Sequence, residues 1–268
     1  MKINRGLAGL ATLTAATLTL TGCGSDDEST PATPRAAATA ASPAEQLVDS
    51  VPDKTVPAYG FEASGACAVP ISGVLDAPGN TIRTTITQKI PEAGGSVTMT
   101  FLAIGTDKPY VKIALKPASL ARRMGVPKGW TAVDPAKISD FGSSPLSYDG
   151  ETDPLATASL FEAASGVTGA GGKFTGKLDL TKVTGADALV DEKTVTALGA
   201  KATSVPFEAV VDATSGGLAA VKVKLPKAGK VKGGTCTLAY QGYGDTPAPA
   251  APAKARKTPA TVYDMLNS

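Results

Sequence analysis

The chain has 268 residues, 43% of them hydrophobic but only 5% aromatic, and its formal net charge is +2. A nucleic-acid-binding protein needs a basic surplus to replace the counterions of the phosphates, so this charge excludes that class. The chain contains no histidine, which excludes Ser-His-Asp and Cys-His catalytic groups and every metal site that needs an imidazole.

Residues 1–22 have the three-part layout of an export signal. Lys2 and Arg5 form its positive start, and residues 7–20 are an uncharged stretch of mostly Leu, Ala, Gly and Thr. That stretch is too short and too rich in Thr to span a bilayer comfortably. It runs into Leu-Thr-Gly-Cys at 20–23, which resembles the lipobox of bacterial lipoproteins. The resemblance implies that Cys23 receives a diacylglyceryl group and becomes the new N-terminus.

Lipidation at Cys23 predicts a membrane anchor, because two acyl chains hold a protein stably where one chain is marginal. Loss of the signal removes two of the 26 lysines and arginines, and the remaining 24 equal the 24 acidic residues. We therefore expect an extracytoplasmic protein without net charge, tethered by lipid to the outer face of the cytoplasmic membrane. An ordinary secretory peptide that precedes a cysteine by chance is the alternative.

Composition divides the rest of the chain into three parts. Residues 23–43 are mainly Ser, Thr, Pro and Ala with three acidic residues, too poor in large apolar groups to fold, which predicts a disordered tether. Residues 44–245 form the predicted domain. Residues 246–268 begin as a Pro/Ala-rich stretch, which predicts an extended tail. The end of this tail, 261–266, is either a helical turn or a contact with the cell wall or a partner.

Alternation of apolar and polar residues dominates the predicted domain and indicates strands. Residues 81–90 alternate in this way after a Pro-Gly-Asn turn, and residues 96–104 and 110–115 extend them to an antiparallel meander. Further strands are predicted at 174–180, 204–212, 218–225 and 235–241, and helices at 44–51, 118–124, 154–164 and 186–198. The sequence therefore predicts an α+β fold in which a large antiparallel sheet carries a few short helices.

Two stretches that could carry catalysis or bind a ligand do not match the motifs concerned. In the glycine-rich stretch 166–173, Val167 occupies the position of the first P-loop glycine and Phe174 that of the Ser or Thr. The densest group of carboxylates, within 149–153, fits a glycosidase pair or a weak Ca²⁺ loop less well than a solvated loop. We expect no enzymatic activity, no cofactor and no metal.

Two cysteines, Cys67 and Cys236, remain once Cys23 is lipidated. An exported domain meets an oxidising environment in which such a pair tends to bond. We therefore predict a Cys67–Cys236 disulfide that joins the two ends of the sheet. Two buried free thiols are the alternative.

Six short stretches of the domain are recognisable as family motifs. They are Val-Pro-Phe-Glu-Ala-Val-Val-Asp-Ala at 205–213, and residues 73–76, 108–113, 129–134, 176–180 and 240–244. Together, over about residues 59–245, they resemble the actinobacterial LppX/LprG lipoprotein family. The resemblance implies a curved, unclosed β half-barrel of the kind also seen in LolA and LolB, with helices over its concave face. The long C-terminal tail and the cysteine pair depart from the family pattern.

The resemblance further implies a function, namely binding of an acylated lipid or lipoglycan in an apolar cavity and its carriage through the cell envelope. The residues alone allow an ordinary core in place of the cavity, and an envelope sensor or accessory lipoprotein that contacts another envelope protein and has no lipid cargo. A register slip by one residue would also move an apolar face to the other side of the sheet. We expect the cavity lining on the apolar strand faces, at Ile82, Ile86, Met99, Phe101, Val111, Ile113, Phe174, Leu178, Phe207 and Val223.

Overall fold

The alternating strands form one twelve-stranded sheet in the computed structural model, which describes residues 41–91 and 94–268. The predicted signal, Cys23 and most of the predicted tether lie outside the described residues. The strands are β1 (Tyr59–Gly65), β2 (Ile71–Asp76), β3 (Thr81–Ile90), β4 (Gly95–Ile104), β5 (Lys108–Lys116), β6 (Trp130–Ala132), β7 (Ala164–Ala170), β8 (Lys173–Leu178), β9 (Val205–Val211), β10 (Leu218–Leu225), β11 (Gly234–Gln241) and β12 (Ala255–Lys257).

The sheet is curved and open, with the strand order β12-β6-β5-β4-β3-β2-β1-β11-β10-β9-β8-β7. β12 pairs with β6 in parallel, and the other neighbouring pairs are antiparallel. Pairing of β1 with β11 joins an N-terminal meander to the C-terminal strands in one continuous sheet. The predicted large antiparallel sheet is therefore confirmed.

Five short α-helices accompany the sheet in the described part of the chain: α1 (Pro43–Asp49), α2 (Ala118–Arg123), α3 (Thr157–Glu162), α4 (Glu192–Leu198) and α5 (Ala260–Leu266). A reciprocal capping box between Ser42 and Glu45 starts α1. Among residues 41–91 and 94–268 there is no helix with the length and apolarity needed to cross a membrane. With these helices the fold class is α+β, as the sequence predicts.

The segment 154–164 differs from the predicted helix. Helix α3 covers only 157–162, and Ala164 begins strand β7. β7 has the sequence Ala-Ser-Gly-Val-Thr-Gly-Ala and lies at the edge of the sheet. Because Val167 is its one large apolar residue, the strand lacks the alternation that marks the others.

The Pro/Ala-rich segment 246–268 belongs to the same compact unit as the sheet. The Thr258 hydroxyl donates to the carbonyl oxygen of Ala132 at 2.6 Å, and the Tyr263 hydroxyl accepts the Asp134 N–H at 2.9 Å. Val262 of α5 is buried. The composition change at residue 245 therefore separates two kinds of sequence but not two separately packed parts, and 261–266 is helical.

Candidate functional site

The two faces of the sheet follow from the strand register, since directly paired residues point to the same side. The face on which the helices pack is called the covered face here. One row on it crosses β4, β3, β2, β1 and β11 at Phe101, Thr84, Gly73, Phe61 and Tyr240. A second row crosses β11, β10, β9 and β8 at Leu238, Val221, Ala209 and Phe174.

All ten residues predicted to line a lipid cavity point to the covered face. Phe101 and Phe174 belong to the two rows, and Val111 pairs with Phe101. The other seven residues lie two or four positions along a strand from one of these residues or from another row member, and alternate residues of a strand point to the same side. No register slip separates them, so the apolar pattern places the ten on one side of the sheet. Phe101, Val111, Ile113, Phe174, Leu178, Phe207 and Val223 are buried, whereas Ile82, Ile86 and Met99 are half-buried.

Two apolar clusters cover this face. The first cluster lies over β1, β2 and β8–β11 and contains Phe174, Leu178, Phe207 and Val223, with Ile82 packed against it. Helix α3 contributes Phe161, whose ring centroid lies 6.1 Å from that of Phe207. Over this half of the sheet the chain's own helices fill the covered face.

The second cluster lies over β4 and β5. It contains Phe101, Val111 and Ile113, with Ile86 and Met99 packed against it. Its cover comes from α2, from the segment 126–146 and from α5, which contributes Val262. The C-terminal segment is thus part of the cover of the sheet.

Between the two clusters the cover is incomplete. Ile71 pairs with Ile86, and Ile86 pairs with Met99, so three apolar side chains form a row across β2, β3 and β4 on the covered face. Ile71 packs against the first cluster and the other two against the second, and all three are only half-buried. This row is called the seam. Burial of its solvent-exposed apolar surface against an apolar ligand is favourable.

A cleft of about 600 Å³ opens beside α4. It lies between this helix, the β1–β2 connection and the β10–β11 connection, and it is called the α4 cleft. Its lining residues are Ala66, Ala68, Leu189, Val190, Asp191, Lys193, Thr194, Ala197, Leu225, Lys230, Val231, Lys232 and Gly233. Sequence reasoning missed this site, because its residues come from three separate connections with no shared periodicity.

The predicted disulfide is confirmed. Cys67 follows β1 and Cys236 lies in β11, and their Cα atoms are 4.6 Å apart across a sequence separation of 169 residues. The neighbouring Ala66 N–H donates to the carbonyl oxygen of Thr235 at 2.9 Å. The bond therefore fixes the loop that forms one wall of the α4 cleft.

A polar network beside the first cluster was also missed. The Asp153 carboxylate accepts hydrogen bonds from the Tyr240 hydroxyl at 2.6 Å, the Thr157 hydroxyl at 3.0 Å and the Ala158 N–H at 2.8 Å. Burial, and then the negative charge of Asp153, hold the pKa of Tyr240 well above 10. Burial also raises the pKa of Tyr148 to about 12. Both phenols are therefore neutral donors at neutral pH.

The carboxylates at 149–153 consequently divide in role. Asp153 fixes the start of α3, and Asp149 and Glu151 are exposed. Across residues 41–91 and 94–268, His, Cys, Asp and Glu form no group of three or more placed to hold a metal ion.

No protein-family model matches this chain, and no curated protein matches it with significant similarity. The LppX/LprG resemblance stays a prediction drawn from the motifs. The candidate site thus consists of the covered face with its seam, and of the α4 cleft at the same end of the sheet.

Proposed function

We propose that this protein is a lipid-anchored, extracytoplasmic lipoprotein that binds an acylated lipid or lipoglycan on the covered face of a β half-barrel and carries it through the cell envelope. The membrane anchor is the lipid on Cys23. The acyl chains lie along the seam, at Ile71, Ile86 and Met99.

The seam is the observation that carries the proposal. It is a row of half-buried large apolar side chains on a face where most large side chains are buried, and it adjoins a buried apolar cluster on either side. An acyl chain gains roughly 0.8 kcal/mol for each CH₂ group it buries. A chain that enters between the clusters meets apolar surface on both sides, so its binding is favoured by the hydrophobic effect alone.

The shape of the sheet supports the half-barrel. It is curved and open, with edge strands β12 and β7, and helices α1, α3 and α5 supply buried residues over its covered face. A sheet that does not close on itself can change the distance between its halves without breaking strand pairs. Such a sheet suits a ligand that must enter and leave.

Mass spectrometry tests the proposal. The full chain is purified from its native envelope under conditions in which detergent does not replace bound lipid. Bound lipid is then extracted from the purified protein with a mild organic solvent. We expect acylated lipid at near-stoichiometric amount. An extract free of lipid from a folded, disulfide-bonded protein would contradict carriage.

A second candidate function is an envelope sensor or accessory lipoprotein without lipid cargo. It is favoured by the burial of seven of the ten predicted lining residues, which makes much of the covered face an ordinary core. The same extraction separates the two functions, because only the carrier retains lipid.

A further inference from the structure

The α4 cleft combines an apolar floor with a basic rim. Leu189, Val190, Leu225 and Val231 supply apolar surface, and Lys193, Lys230 and Lys232 line the same cleft. The volume of about 600 Å³ is that of a typical small-molecule site. Floor and rim together suit a ligand that is apolar at one end and negatively charged at the other.

Hydrogen bonds hold the walls of the cleft in place. The Ala68 N–H donates to the carbonyl oxygen of Leu189 at 3.1 Å, which ties the β1–β2 connection to the segment before α4. On the opposite wall, Ala228 and Val231 exchange backbone hydrogen bonds of 3.1 and 2.8 Å. The Lys201 ammonium group donates to the carbonyl oxygen of Lys227 at 3.0 Å. The cleft is therefore formed before any ligand arrives, which lowers the entropic cost of binding.

The charge at the cleft is positive. Lys193, Lys230 and Lys232 are exposed, and no carboxylate of the described residues lies within 4.0 Å of their ammonium groups. Asp191 also lines the cleft, but its carboxylate accepts the Thr194 N–H at 2.6 Å and caps α4. The lining of the cleft thus includes three cations and one carboxylate, which leaves it a positive net charge.

The cleft and the seam lie at the same end of the sheet. Gly65, the last residue of β1, pairs with Cys236 of β11, and Ile71, the first residue of β2, pairs with Ala63 of β1. β2 and β10 are three strands apart, a distance of about 14 Å along the sheet at the usual strand spacing. One amphiphile can therefore reach both places.

We propose that the α4 cleft binds the anionic headgroup of an acylated ligand, with a phosphate on Lys193, Lys230 and Lys232 and the first carbons of the chains on the apolar floor. The inference rests on the proposed lipid binding and names the class of its ligand as an anionic phospholipid or phosphorylated lipoglycan.

Calorimetric titration with monomeric short-chain lipids tests this site. The full chain carries Cys23→Ser so that no anchor contributes, and it is titrated with dihexanoyl phosphatidylglycerol and with dihexanoyl phosphatidylcholine at low ionic strength. We expect phosphatidylglycerol to bind more tightly by on the order of tenfold, since each lysine near an anionic headgroup contributes favourably. The triple variant with Lys193→Gln, Lys230→Gln and Lys232→Gln should abolish this preference by weakening phosphatidylglycerol binding, and it should weaken phosphatidylcholine binding much less, because the choline cation already offsets the charge of that phosphate.

A control variant carries Lys112→Gln, Lys173→Gln and Lys177→Gln. These lysines are exposed on the opposite face of the sheet, so the control loses the same charge but should keep the preference. Equal affinity of the parent chain for the two lipids, or a preference that survives in the cleft variant, overturns the headgroup site but leaves lipid binding intact.

Two further outcomes complete the test. If the parent chain binds neither lipid, the proposed function fails and the headgroup site with it. If inorganic phosphate displaces phosphatidylglycerol at equal concentration, the cleft is a site for free phosphate, and this outcome contradicts the proposal of an acylated ligand.

Discussion

At the scale of single residues, the hydrogen bond between Tyr240 and Asp153 places polar groups beside the first cluster. Tyr240 is paired with Phe61 on the covered face and buried, yet its hydroxyl reaches the Asp153 carboxylate. Removal of the hydroxyl leaves a part-buried carboxylate one donor short, which typically costs about 1–3 kcal/mol. The network therefore contributes to stability.

Tyr240→Phe should lower the free energy of unfolding at neutral pH and flatten its dependence on alkaline pH. The pKa of Tyr240 is raised above 10 in the folded state, so the stabilisation is present below pH 10 and is lost as the pH rises beyond it. Urea unfolding between neutral pH and pH 11 measures both effects. A variant with the parent's stability and the parent's alkaline slope would contradict the network. Tyr110→Phe is the control, because Tyr110 lies on the opposite face of the sheet, away from the Asp153 network.

At the scale of elements, the strands that could be predicted from the sequence are those in which apolar and polar residues alternate. β3 matches the predicted range because its apolar residues alternate, and β10 spans the predicted 218–225 for the same reason. Strands β1, β2, β6, β7 and β12 were not predicted. In β1 and β7, small residues such as Gly and Ala hide the alternation, and β6 and β12, with three residues each, are too short to show it. The covered face could thus be assigned from the sequence, whereas the seam and the α4 cleft depend on how distant connections meet.

The disulfide is a contact between elements, and it predicts a measurable loss on reduction. It closes a loop of about 170 residues, so in the chain-entropy model it stabilises the fold by about 5 kcal/mol. Urea unfolding with and without reductant should show this loss in the parent chain. The double variant Cys67→Ala and Cys236→Ala should be as unstable as the reduced parent and insensitive to reductant. Equal stability of oxidised and reduced parent would contradict the prediction.

The packing of helix α5 on the second cluster also predicts a measurable effect. Val262 is buried in the second cluster, and Asn267 just beyond the helix accepts the Ser139 N–H at 2.9 Å. Val262→Asp places a charge among apolar groups and should detach the helix, so the amides of Asp134 and Ser139 exchange hydrogen faster. Thr261→Asp, at the exposed neighbouring position, should not change the exchange. Unchanged protection in both variants would mean that α5 does not hold this segment.

At the scale of the whole molecule, the proposed lipid anchor on Cys23 predicts where the protein is found in the cell. Cys23→Ser should move the protein from the membrane fraction to the soluble fraction, because no acyl chains remain to hold it. Fractionation after a high-salt wash measures this. The control is the variant with Cys67→Ala and Cys236→Ala, which keeps Cys23 and should stay with the membrane. A Cys23→Ser protein that still sediments with membranes would contradict the tether.

The most direct test of lipid binding at the seam is fluorescence quenching by a brominated acyl chain. The one native tryptophan, Trp130, is replaced by phenylalanine, and a tryptophan is introduced either at Ile86 on the covered face or at the exposed Thr87 on the opposite face. We expect brominated lipid to quench the tryptophan at position 86 strongly and to leave the one at position 87 unchanged. Equal quenching at the two positions, or none at position 86 with lipid bound, would contradict the account.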